Sequence, residues 1–395
     1  MDFNNEALKI HRQSRGKIAV TSKVSIKSRE DLSAVYTPGV AAPCMEIYKD
    51  EERVWEYTAK SRLVAVISDG SAVLGLGDIG PLAGMPVMEG KAVLFKEFAD
   101  VDAFPICIDT KEPEEIIKTI KNIAPCFGGI NLEDIASPKC FYIETTLQKE
   151  LDIPVFHDDQ HGTAIVVLAA LINALKIVGK RLSDIKLVLN GPGSAGTAII
   201  KMLLDAGVQD IIACDEGGIL CSERRELTGH KKMLCEITNK EDISGELKTA
   251  LQKADVFIGV SVAGALNEAM IKLMAEKPVI FAMANPQPEI TYKEAIEAGA
   301  AVMGTGRSDR PNQINNVLAF PGIFKGALDS GAKQINKEMK LAAAYAIADF
   351  ISPEKLRADY IIPEVLDKRV AAHVAKAVAE AALKSGICRK VAREL

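Results

Sequence analysis

The chain has 395 residues, of which 48% are hydrophobic and 26% charged, and its formal net charge is −5. This length suffices for two or three domains with cores of their own, and the composition is that of a folded chain rather than a disordered one. The acidic balance argues against a nucleic-acid or anionic-membrane partner, because such partners bind basic surfaces.

The apolar pattern indicates neither an N-terminal secretory signal nor a membrane-spanning segment. The first twenty residues lack the continuous apolar core of a secretory signal, and the longest apolar run, 164–172, is too short to span a bilayer. The eight cysteines form no C-x-x-C pair, so we expect reduced thiols. Together these features predict a cytoplasmic protein.

Residues 1–160 are predicted to form an α/β domain. Apolar runs closed by turn residues indicate strands at 63–70 and 104–109, and apolar residues at helical spacing indicate a helix at 112–124. The segment PVFHDD reads as a further strand that ends in two aspartates.

The stretch HDDQH, residues 157–161, resembles the H-E-x-x-H zinc signature in its spacing. Pro154 and Gly162 predict instead that the segment is extended and that the next helix begins only after His161. His157 and His161 would then stand about 13 Å apart and could not share one ion as helical i,i+4 neighbours do.

Residues 161–315 alternate short apolar runs with helical stretches, which is typical of a parallel sheet covered on both faces. Strands are predicted at 186–190, 210–215, 254–260, 278–285 and 300–306, and helices at 196–207, 243–254, 263–276 and 291–300. The prediction is a Rossmann-type doubly wound domain. Residues 316–395 carry apolar residues at helical spacing and predict helices alone.

The pattern G-x-G-x-x-G occurs twice, and its context separates the two copies. GLGDIG, residues 75–80, is followed by Pro81, Gly84 and Pro86, so we expect no long helix after it and interpret it as a structural loop. GPGSAG, residues 191–196, follows a predicted strand and opens a predicted helix, which is the context of a dinucleotide site.

The dinucleotide interpretation assigns a task to each residue of GPGSAG. Pro192 has no N–H, so the phosphates would be held by Gly193, Ser194, Ala195 and the helix end, while Gly191 and Gly196 allow the tight turn and close packing. Asp215, nineteen residues beyond Gly196, would bind a ribose hydroxyl.

The residues around Asp215 bear on the choice of cofactor. Glu216 beside it adds a second carboxylate that would repel a 2′-phosphate, which favours NAD over NADP. Arg224 and Arg225 lie close enough in sequence to reverse that preference.

Three acidic positions follow predicted strands. Glu133 and Asp134 lie side by side in INLEDI (130–135) after a strand-like stretch, and the aspartates 158 and 159 end PVFHDD. The carboxyl ends of parallel strands are where α/β proteins bind ligands, and three carboxylate oxygens suit Mg²⁺ or Mn²⁺. For Glu133 and Asp134 alone, a solvated acidic loop is the simpler interpretation.

The conjunction of motifs resembles malic enzyme in its short prokaryotic form, over residues 15–385. The motifs are AVYTPGVAAPC (34–44), GLGDIG, PVMEGKAVLF (86–95), LED (132–134), HDDQHGTA (157–164), GPGSAG, FAMANP (281–286) and QINNVLAFPG (313–322). The resemblance implies oxidative decarboxylation of (S)-malate to pyruvate and CO₂ with NAD⁺ or NADP⁺ and a divalent metal. It also implies oxaloacetate decarboxylation, a homodimer or larger assembly, and a substrate domain formed by residues 1–160 and the C-terminal helices.

The resemblance implies roles for individual residues. Lys91 corresponds to the base that takes the malate hydroxyl proton, and such a base needs a lowered pKa. Tyr36 corresponds to the acid that protonates enolpyruvate, and Asp158 to a neighbour of the base. The implied metal ligands are Glu133, Asp134 and Asp159; Asn285 and Asn316 would bind substrate and Asn315 the nicotinamide side.

One position departs from the family pattern. Larger members carry an arginine before GLGDIG that grips the malate carboxylate, whereas this chain has Ser71 and Ala72 there. Ser71, Arg307 or a residue of a partner subunit would have to take that place.

Three other functions remain open at this point. An amino-acid dehydrogenase would not need the carboxylate trio, a metallohydrolase would use His157 and His161 with zinc, and a dinucleotide-sensing regulator would bind the cofactor without turnover.

Overall fold

The computed structural model describes residues 3–389. Its first part consists of four helices, and none of the residues in them is buried. They are α1 (Phe3–Ser14), α2 (Arg29–Val35), α3 (Ala41–Lys49) and α4 (Val54–Tyr57). Lys17, between α1 and α2, is tied to the rest of the chain through its amide, which donates to Glu89 over 2.9 Å.

A four-stranded sheet follows, with strand order β2-β1-β3-β4 and every pair parallel. Its elements are β1 (Leu63–Ser68), α5 (Gly80–Ala99), β2 (Asp102–Cys107), α6 (Pro113–Ile123), β3 (Gly129–Leu132), α7 (Lys139–Glu150) and β4 (Val155–His157). Because the strands are parallel, the residues that follow β1, β3 and β4 meet at one edge of the sheet.

The prediction that no long helix follows GLGDIG is wrong. Helix α5 runs for 20 residues with Pro81 in its first turn and Pro86 inside it. A first-turn proline loses no helical hydrogen bond, and the burial of Met88 and Phe95 compensates for the bond that Pro86 cannot make. The loop itself is structural, as predicted: the Gly70 carbonyl accepts from the amides of Ile79 and Gly80.

The prediction that HDDQH is extended is also wrong. Helix α8 (Asp158–Val178) begins directly after β4, so that Asp158 and Asp159 occupy its first turn, where the helix dipole favours carboxylates. Gly162 does not delay the helix. A Cβ there would lie 1.9 Å from Oδ1 of Asp158, so only glycine fits at this position without a shift of Asp158.

Helix α8 has 21 residues and is long and apolar enough, by length and composition, to cross a membrane. In the structure, 78% of its most apolar window is buried inside the protein, which is the environment of a core helix.

The second sheet has six strands in the order β10-β9-β8-β5-β6-β7. All its pairs are parallel except β6 with β7. Its elements are β5 (Lys186–Asn190), α9 (Ser194–Asp205), β6 (Asp210–Asp215), β7 (Gly218–Ile219), α10 (Gly229–Ile237), α11 (Leu247–Ala250), β8 (Val256–Gly259), α12 (Glu268–Ile271), β9 (Val279–Ala282), α13 (Tyr292–Glu297) and β10 (Val302–Thr305). The order is that of a doubly wound Rossmann sheet, as predicted. Helices α11 and α12 are shorter than expected, and β7 and α10 were not foreseen.

Three helices complete the described chain: α14 (Phe320–Asp329), α15 (Lys337–Asp349) and α16 (Arg369–Ser385). They pack on one another, α14 against α5 and α15 against α8. Phe320 and Phe324 of α14 meet Phe95 of α5 edge to face, with ring centroids 4.8 and 5.3 Å apart. The domain boundaries at 160 and 315 stay predictions, and residues 390–395 of the last segment lie outside the described residues.

Candidate active site

Lys91 lies at the centre of a buried polar cluster. Helix α5 turns its side chain inward, where it is 7% exposed. The ammonium lies 2.6 Å from Oδ2 of Asp158 and 2.8 Å from Oε1 of Glu133, and 4.2 Å from the centroid of the Phe320 ring. One lysine therefore joins α5 to the end of β3 and the start of α8.

The charge around Lys91 decides its protonation. Burial alone would lower its pKa, but the carboxylates of Asp158, Glu133 and Asp159 outweigh burial and raise the pKa above its ordinary value. The expected lowered pKa is therefore not a property of these residues alone. A second cation among the carboxylates would offset their charge and lower it.

Glu133, Asp134 and Asp159 form the predicted carboxylate trio. One oxygen of each lies within 4.8 Å of the others. Asp134 adopts a left-handed backbone conformation, with φ of +53°, which turns its side chain toward the same point as that of Glu133. The Asp134 amide donates to Oδ2 of Asp159 over 2.8 Å, and Asn131 donates to Glu133 over 2.7 Å.

The trio fits a divalent cation. Burial, and then the neighbouring carboxylates, raise the pKa of Asp134 to about 8, and burial also raises those of Glu133 and Asp159. Within residues 3–389, Oδ2 of Asp134 is buried without a hydrogen-bond partner. An excess of buried negative charge on oxygen ligands is what Mg²⁺ or Mn²⁺ would neutralise.

Asp158 faces Lys91 rather than the trio. Burial raises its pKa to about 7 even though Lys91 opposes the shift. Its Oδ2 also accepts from Nδ2 of Asn316 over 2.5 Å. Asn316 begins a short 3₁₀ helix, Asn316–Leu318, so the segment before α14 enters the cluster at this point.

Three residues with predicted roles are not joined to this cluster. The side chain of Tyr36 is 68% exposed, and in the described part of the chain no hydrogen bond links it to the cluster. Asn285 lies exposed beyond β9. The side chain of Asn315 accepts from the Val317 amide and caps the 3₁₀ helix.

The two side chains expected to replace the missing arginine are already engaged. The Ser71 hydroxyl donates to Asp69 over 2.6 Å and accepts from the Ala136 amide over 2.9 Å. Arg307 pairs with Asp309 over 2.8 Å at the surface. In this structure, therefore, neither side chain is free to bind a substrate carboxylate.

Among residues 3–389, the histidines of HDDQH belong to no group of side chains that could hold a metal ion. His161 lies 3.1 Å from Oε2 of Glu144, whose other oxygen accepts from the His157 amide over 2.9 Å. Burial would raise the pKa of Glu144, but His161, with help from Lys340 and His157, lowers it to about 2. Sequence reasoning missed Glu144, because a glutamate in α7 resembles a surface residue.

The loop GPGSAG has the geometry of a dinucleotide loop. Gly191 has φ of +100°, and a Cβ there would lie 2.6 Å from the Val260 carbonyl. A Cβ on Gly196 would lie 2.2 Å from the Gly191 carbonyl, whereas nothing lies within 4 Å of that position on Gly193. The outer glycines are thus required for packing, and Gly193 leaves room for a ligand beside the amides of Ser194 and Ala195 at the start of α9.

Asp215 ends β6, as predicted, but two cations hold it. Arg224 and Lys231 each lie 2.6 Å from one of its oxygens, and the Gly217 amide donates to it over 2.9 Å. Sequence reasoning named Arg224 and Arg225 here and missed Lys231, which α10 brings back to the end of the strand.

Comparisons with known proteins agree with this arrangement. Residues 13–148 match the family model of the malic enzyme N-terminal domain, and residues 160–383 match that of the malic enzyme NAD binding domain. The chain is 57% identical over 390 residues to the bifunctional malic/malolactic enzyme of Bacillus subtilis, covering 98% of this chain and 95% of that protein. It is also 57% identical over 375 residues to the NAD-dependent malic enzyme of Geobacillus stearothermophilus, covering 95% of this chain and 78% of that one.

A solved structure shares both fold and sequence. The crystal structure of malic enzyme from Pyrococcus horikoshii superimposes with a TM-score of 0.94 at 52% identity, covering 98% of this chain and 92% of that one. The chain belongs to the malic enzyme family.

Proposed function

We propose that this chain oxidises (S)-malate with NAD⁺ or NADP⁺ and decarboxylates the product to pyruvate and CO₂. The observation that carries the proposal is the buried Lys91 bonded to both Asp158 and Glu133, next to a carboxylate trio suited to a divalent cation. The dinucleotide loop contacts α7, the helix that follows β3 and the carboxylates Glu133 and Asp134, since Oγ of Ser194 is 3.6 Å from Sγ of Cys140.

The first step transfers a proton and a hydride. Lys91 takes the proton of the C2 hydroxyl while the C2 hydrogen leaves as hydride to the nicotinamide, which gives the keto acid. Asp158, 2.6 Å from the Lys91 amine, accepts a hydrogen bond from it and offers a path for the proton away from the substrate. Asn316 fixes the orientation of Asp158.

The second step breaks the bond between C3 and C4. Its electron pair forms the enol double bond between C2 and C3, CO₂ leaves, and Lys91 returns a proton to the C2 oxygen. Tyr36 then protonates C3 as the enol proton is lost, which gives pyruvate. Glu133, Asp134 and Asp159 would hold Mg²⁺ or Mn²⁺, which supplies polarisation of the C2 oxygen and stabilisation of negative charge there.

Tyr36 lies exposed at the surface of a single chain, and we propose a homodimer as the state that brings it to an active site. The helices before β1 expose apolar side chains that a monomer would leave in water, among them Val35, Tyr36, Met45 and Tyr48, with exposures of 40 to 82%. Exposed apolar surface of this extent is typical of a subunit interface. We place the Tyr36 of each chain in the active site of the other.

NAD is the proposed main cofactor. Asp215 and Glu216 place two carboxylates where a 2′-phosphate of NADP would lie, while Arg224 and Lys231 are already paired with Asp215. The proposed location is the cytoplasm, where both cofactors and malate are present.

The direct test uses purified protein with (S)-malate, Mn²⁺ and either NAD⁺ or NADP⁺. We expect equal amounts of reduced cofactor and pyruvate, a higher initial rate with NAD⁺, and loss of turnover on addition of EDTA. No turnover with either cofactor would reject the proposal. Lactate without net cofactor reduction would assign instead the malolactic reaction named for the Bacillus relative.

A further inference from the structure

Glu289 is a buried carboxylate that the proposed mechanism does not use. It lies in the connection between β9 and α13 and is fully buried. The amide of Ser261 donates to its Oε1 over 2.8 Å, and the hydroxyl of Ser261 donates to the same oxygen over 3.1 Å. The amide of Ala284 donates to Oε2 over 3.1 Å. Both oxygens of the carboxylate therefore accept hydrogen bonds from groups just beyond two strands of the second sheet.

The fold makes room for this carboxylate. A Cβ on Gly259, the last residue of β8, would lie 2.4 Å from Cδ of Glu289, so a larger residue at position 259 would displace the glutamate. Among residues 3–389, the hydrogen bonds to the Glu289 carboxylate come from uncharged amides and a hydroxyl. Because burial of a carboxylate is costly unless it is hydrogen-bonded, a glutamate in these surroundings indicates that the fold requires these particular bonds.

Glu289 connects the carboxyl ends of three neighbouring strands. Ser261 follows β8 and Ala284 follows β9, so the carboxylate holds these two strand ends directly. The third strand, β5, is joined through a side chain: Nδ2 of Asn190, its last residue, donates to the Ser261 hydroxyl over 2.8 Å. The carboxyl ends of parallel strands are where doubly wound sheets bind their ligands. The network therefore lies at the edge of the sheet where a dinucleotide would bind.

The segments held by Glu289 contact both the dinucleotide loop and the substrate side. A Cβ on Gly191, the first residue of GPGSAG, would lie 2.6 Å from the Val260 carbonyl, so the loop packs directly on the residues that follow β8. Asn285, which follows Ala284, has its carbonyl 3.4 Å from the Cβ position of Gly75 in GLGDIG. A shift of either segment would therefore change the distance between a bound cofactor and the substrate side of the site.

We propose that Glu289 is a positioning residue for the nicotinamide cofactor. Its carboxylate fixes the residues after β8 and β9 relative to each other and, through Ser261 and Asn190, fixes the start of the dinucleotide loop. It acts through these groups and not by contact with the reacting atoms, so its loss should weaken cofactor binding without altering the metal site. The effect on turnover rests on the proposed malate oxidation, whereas the effect on cofactor binding does not.

Glu289→Gln tests the proposal in the full chain. The amide keeps the shape of the side chain, but its Nε2 is a donor and would face one of the donors that now bond the carboxylate. We expect the Kd for NADH, from a fluorescence titration, and the KM for NAD⁺ each to rise at least about tenfold, because a buried donor loses its acceptor. The Kd for Mn²⁺ should stay within about twofold of wild type, since the bonds of Glu289 do not include the carboxylate trio.

Two further variants locate the effect. Ser261→Ala removes the hydroxyl that joins Glu289 to Asn190 and keeps the backbone bonds, so we expect the Kd for NADH to rise at least about threefold. This variant decides the question if Glu289→Gln does not fold. Glu268→Gln, at an exposed residue of α12 that pairs with Lys272 at 3.8 Å, is the matched control and should bind NADH as wild type does.

The two titrations distinguish positioning from a general role in the fold. Unchanged NADH binding in a folded Glu289→Gln variant, or in Ser261→Ala if the first variant does not fold, would overturn the proposal. So would an equal loss of NADH and Mn²⁺ binding, because it would assign Glu289 to the stability of the whole chain. Wild-type protein that binds NADH but does not turn over malate would instead refute the proposed malate oxidation alone.

Discussion

Substitution of Lys91 should impair malate oxidation without weakening metal binding. In Lys91→Met we expect kcat for malate oxidation to fall by about 10²–10⁴, the usual contribution of a positioned acid–base group. Mn²⁺ should bind at least as tightly as to wild type, because Glu133 and Asp158 lose the ammonium that now neutralises them. Initial rates and a Mn²⁺ titration measure the two effects.

The control for that variant lies on the same helix. Lys96 is exposed and pairs with Asp100 over 2.6 Å, so Lys96→Met should keep the wild-type rate. If Lys91→Met also turned over malate normally, Lys91 could not be the base.

Cofactor preference should depend on the charge at the end of β6. In Asp215→Asn, Arg224 and Lys231 lose the carboxylate that now holds them and are free to meet a 2′-phosphate. We expect the ratio of kcat/KM for NADP⁺ to that for NAD⁺ to rise about tenfold or more, since a charge-assisted bond contributes about 1.5–3 kcal/mol.

Asp184→Asn is the matched control, because Asp184 pairs with Arg181 over 2.6 Å in the connection before β5, away from the dinucleotide loop. The ratio should not change in that variant. An unchanged ratio in Asp215→Asn would show that this carboxylate does not select the cofactor.

At the scale of elements, the first turn of α8 has no room for a side chain at position 162. Gly162→Ala would place a methyl group 1.9 Å from Oδ1 of Asp158 and 3.2 Å from Cβ of Asn316. We expect Asp158 to be displaced from Lys91 and kcat to fall at least about tenfold, since acid–base catalysis depends on this geometry. Circular dichroism should show a folded protein.

Gly90→Ala on α5 provides the comparison. A Cβ at Gly90 would meet only the flexible end of Lys17, at 3.2 Å, and alanine favours a helix over glycine. We therefore expect this variant to retain activity. Full activity in Gly162→Ala would mean that α8 can shift without disturbing Asp158.

Glu144 connects α7 to the junction of β4 and α8, and its contribution should depend on pH. Its pKa falls from the ordinary 4.5 to about 2 in the folded protein. A carboxyl group with a lowered pKa stabilises the fold above its ordinary pKa, and this stability is lost as the pH falls from 4.5 toward 2.

In Glu144→Gln we therefore expect the free energy of unfolding to fall by about 2 kcal/mol at pH 7, and the difference from wild type to shrink below pH 4.5. Urea titrations at a series of pH values measure this. Glu297→Gln, at an exposed residue paired with Lys293 at 3.7 Å, should show no such difference. A constant difference across that range would exclude the charge of Glu144 as the cause.

The elements show where local sequence rules hold and where they do not. Strands 186–190 and 210–215 match the structure residue for residue, because continuous apolar runs between turn residues leave little choice. Helices α5 and α8 were misread because Pro86 and Gly162 oppose helix formation locally. Burial of residues such as Phe95 in the core overrides that preference, and such tertiary contacts cannot be read from a short window.

The candidate site, like the elements, could be predicted from the sequence only in part. The resemblance named Lys91, Glu133, Asp134, Asp158, Asp159 and Asn316, and the structure brings these six together. Glu144 and Lys231 cannot be recognised from the sequence, because their partners, His157 and Asp215, are distant from them along the chain. Tyr36 also lies in one of the motifs that carry the resemblance. In the described part of one chain, however, no hydrogen bond links it to these six residues.

At the scale of the whole molecule, the exposed Tyr36 predicts that two chains share each active site. Tyr36→Phe and Lys91→Met should each be nearly inactive alone. If Tyr36 acts in the partner, a mixed dimer of the two variants has one site with both residues intact and one with neither. If Tyr36 acts in its own chain, no site in the mixture is complete.

Unfolding the two variants together at equal concentration and refolding them should therefore restore activity to about a quarter of the wild-type value, because half of the randomly formed dimers are mixed and each has one complete site. Initial rates of malate oxidation before and after mixing measure the recovery, and each variant refolded alone serves as the control. Recovery near a quarter would place Tyr36 in the partner's site. An inactive mixture of properly refolded dimers would show that the dimer does not complete the site in this way, and Tyr36 would then have to reach Lys91 by a movement of α2 within its own chain.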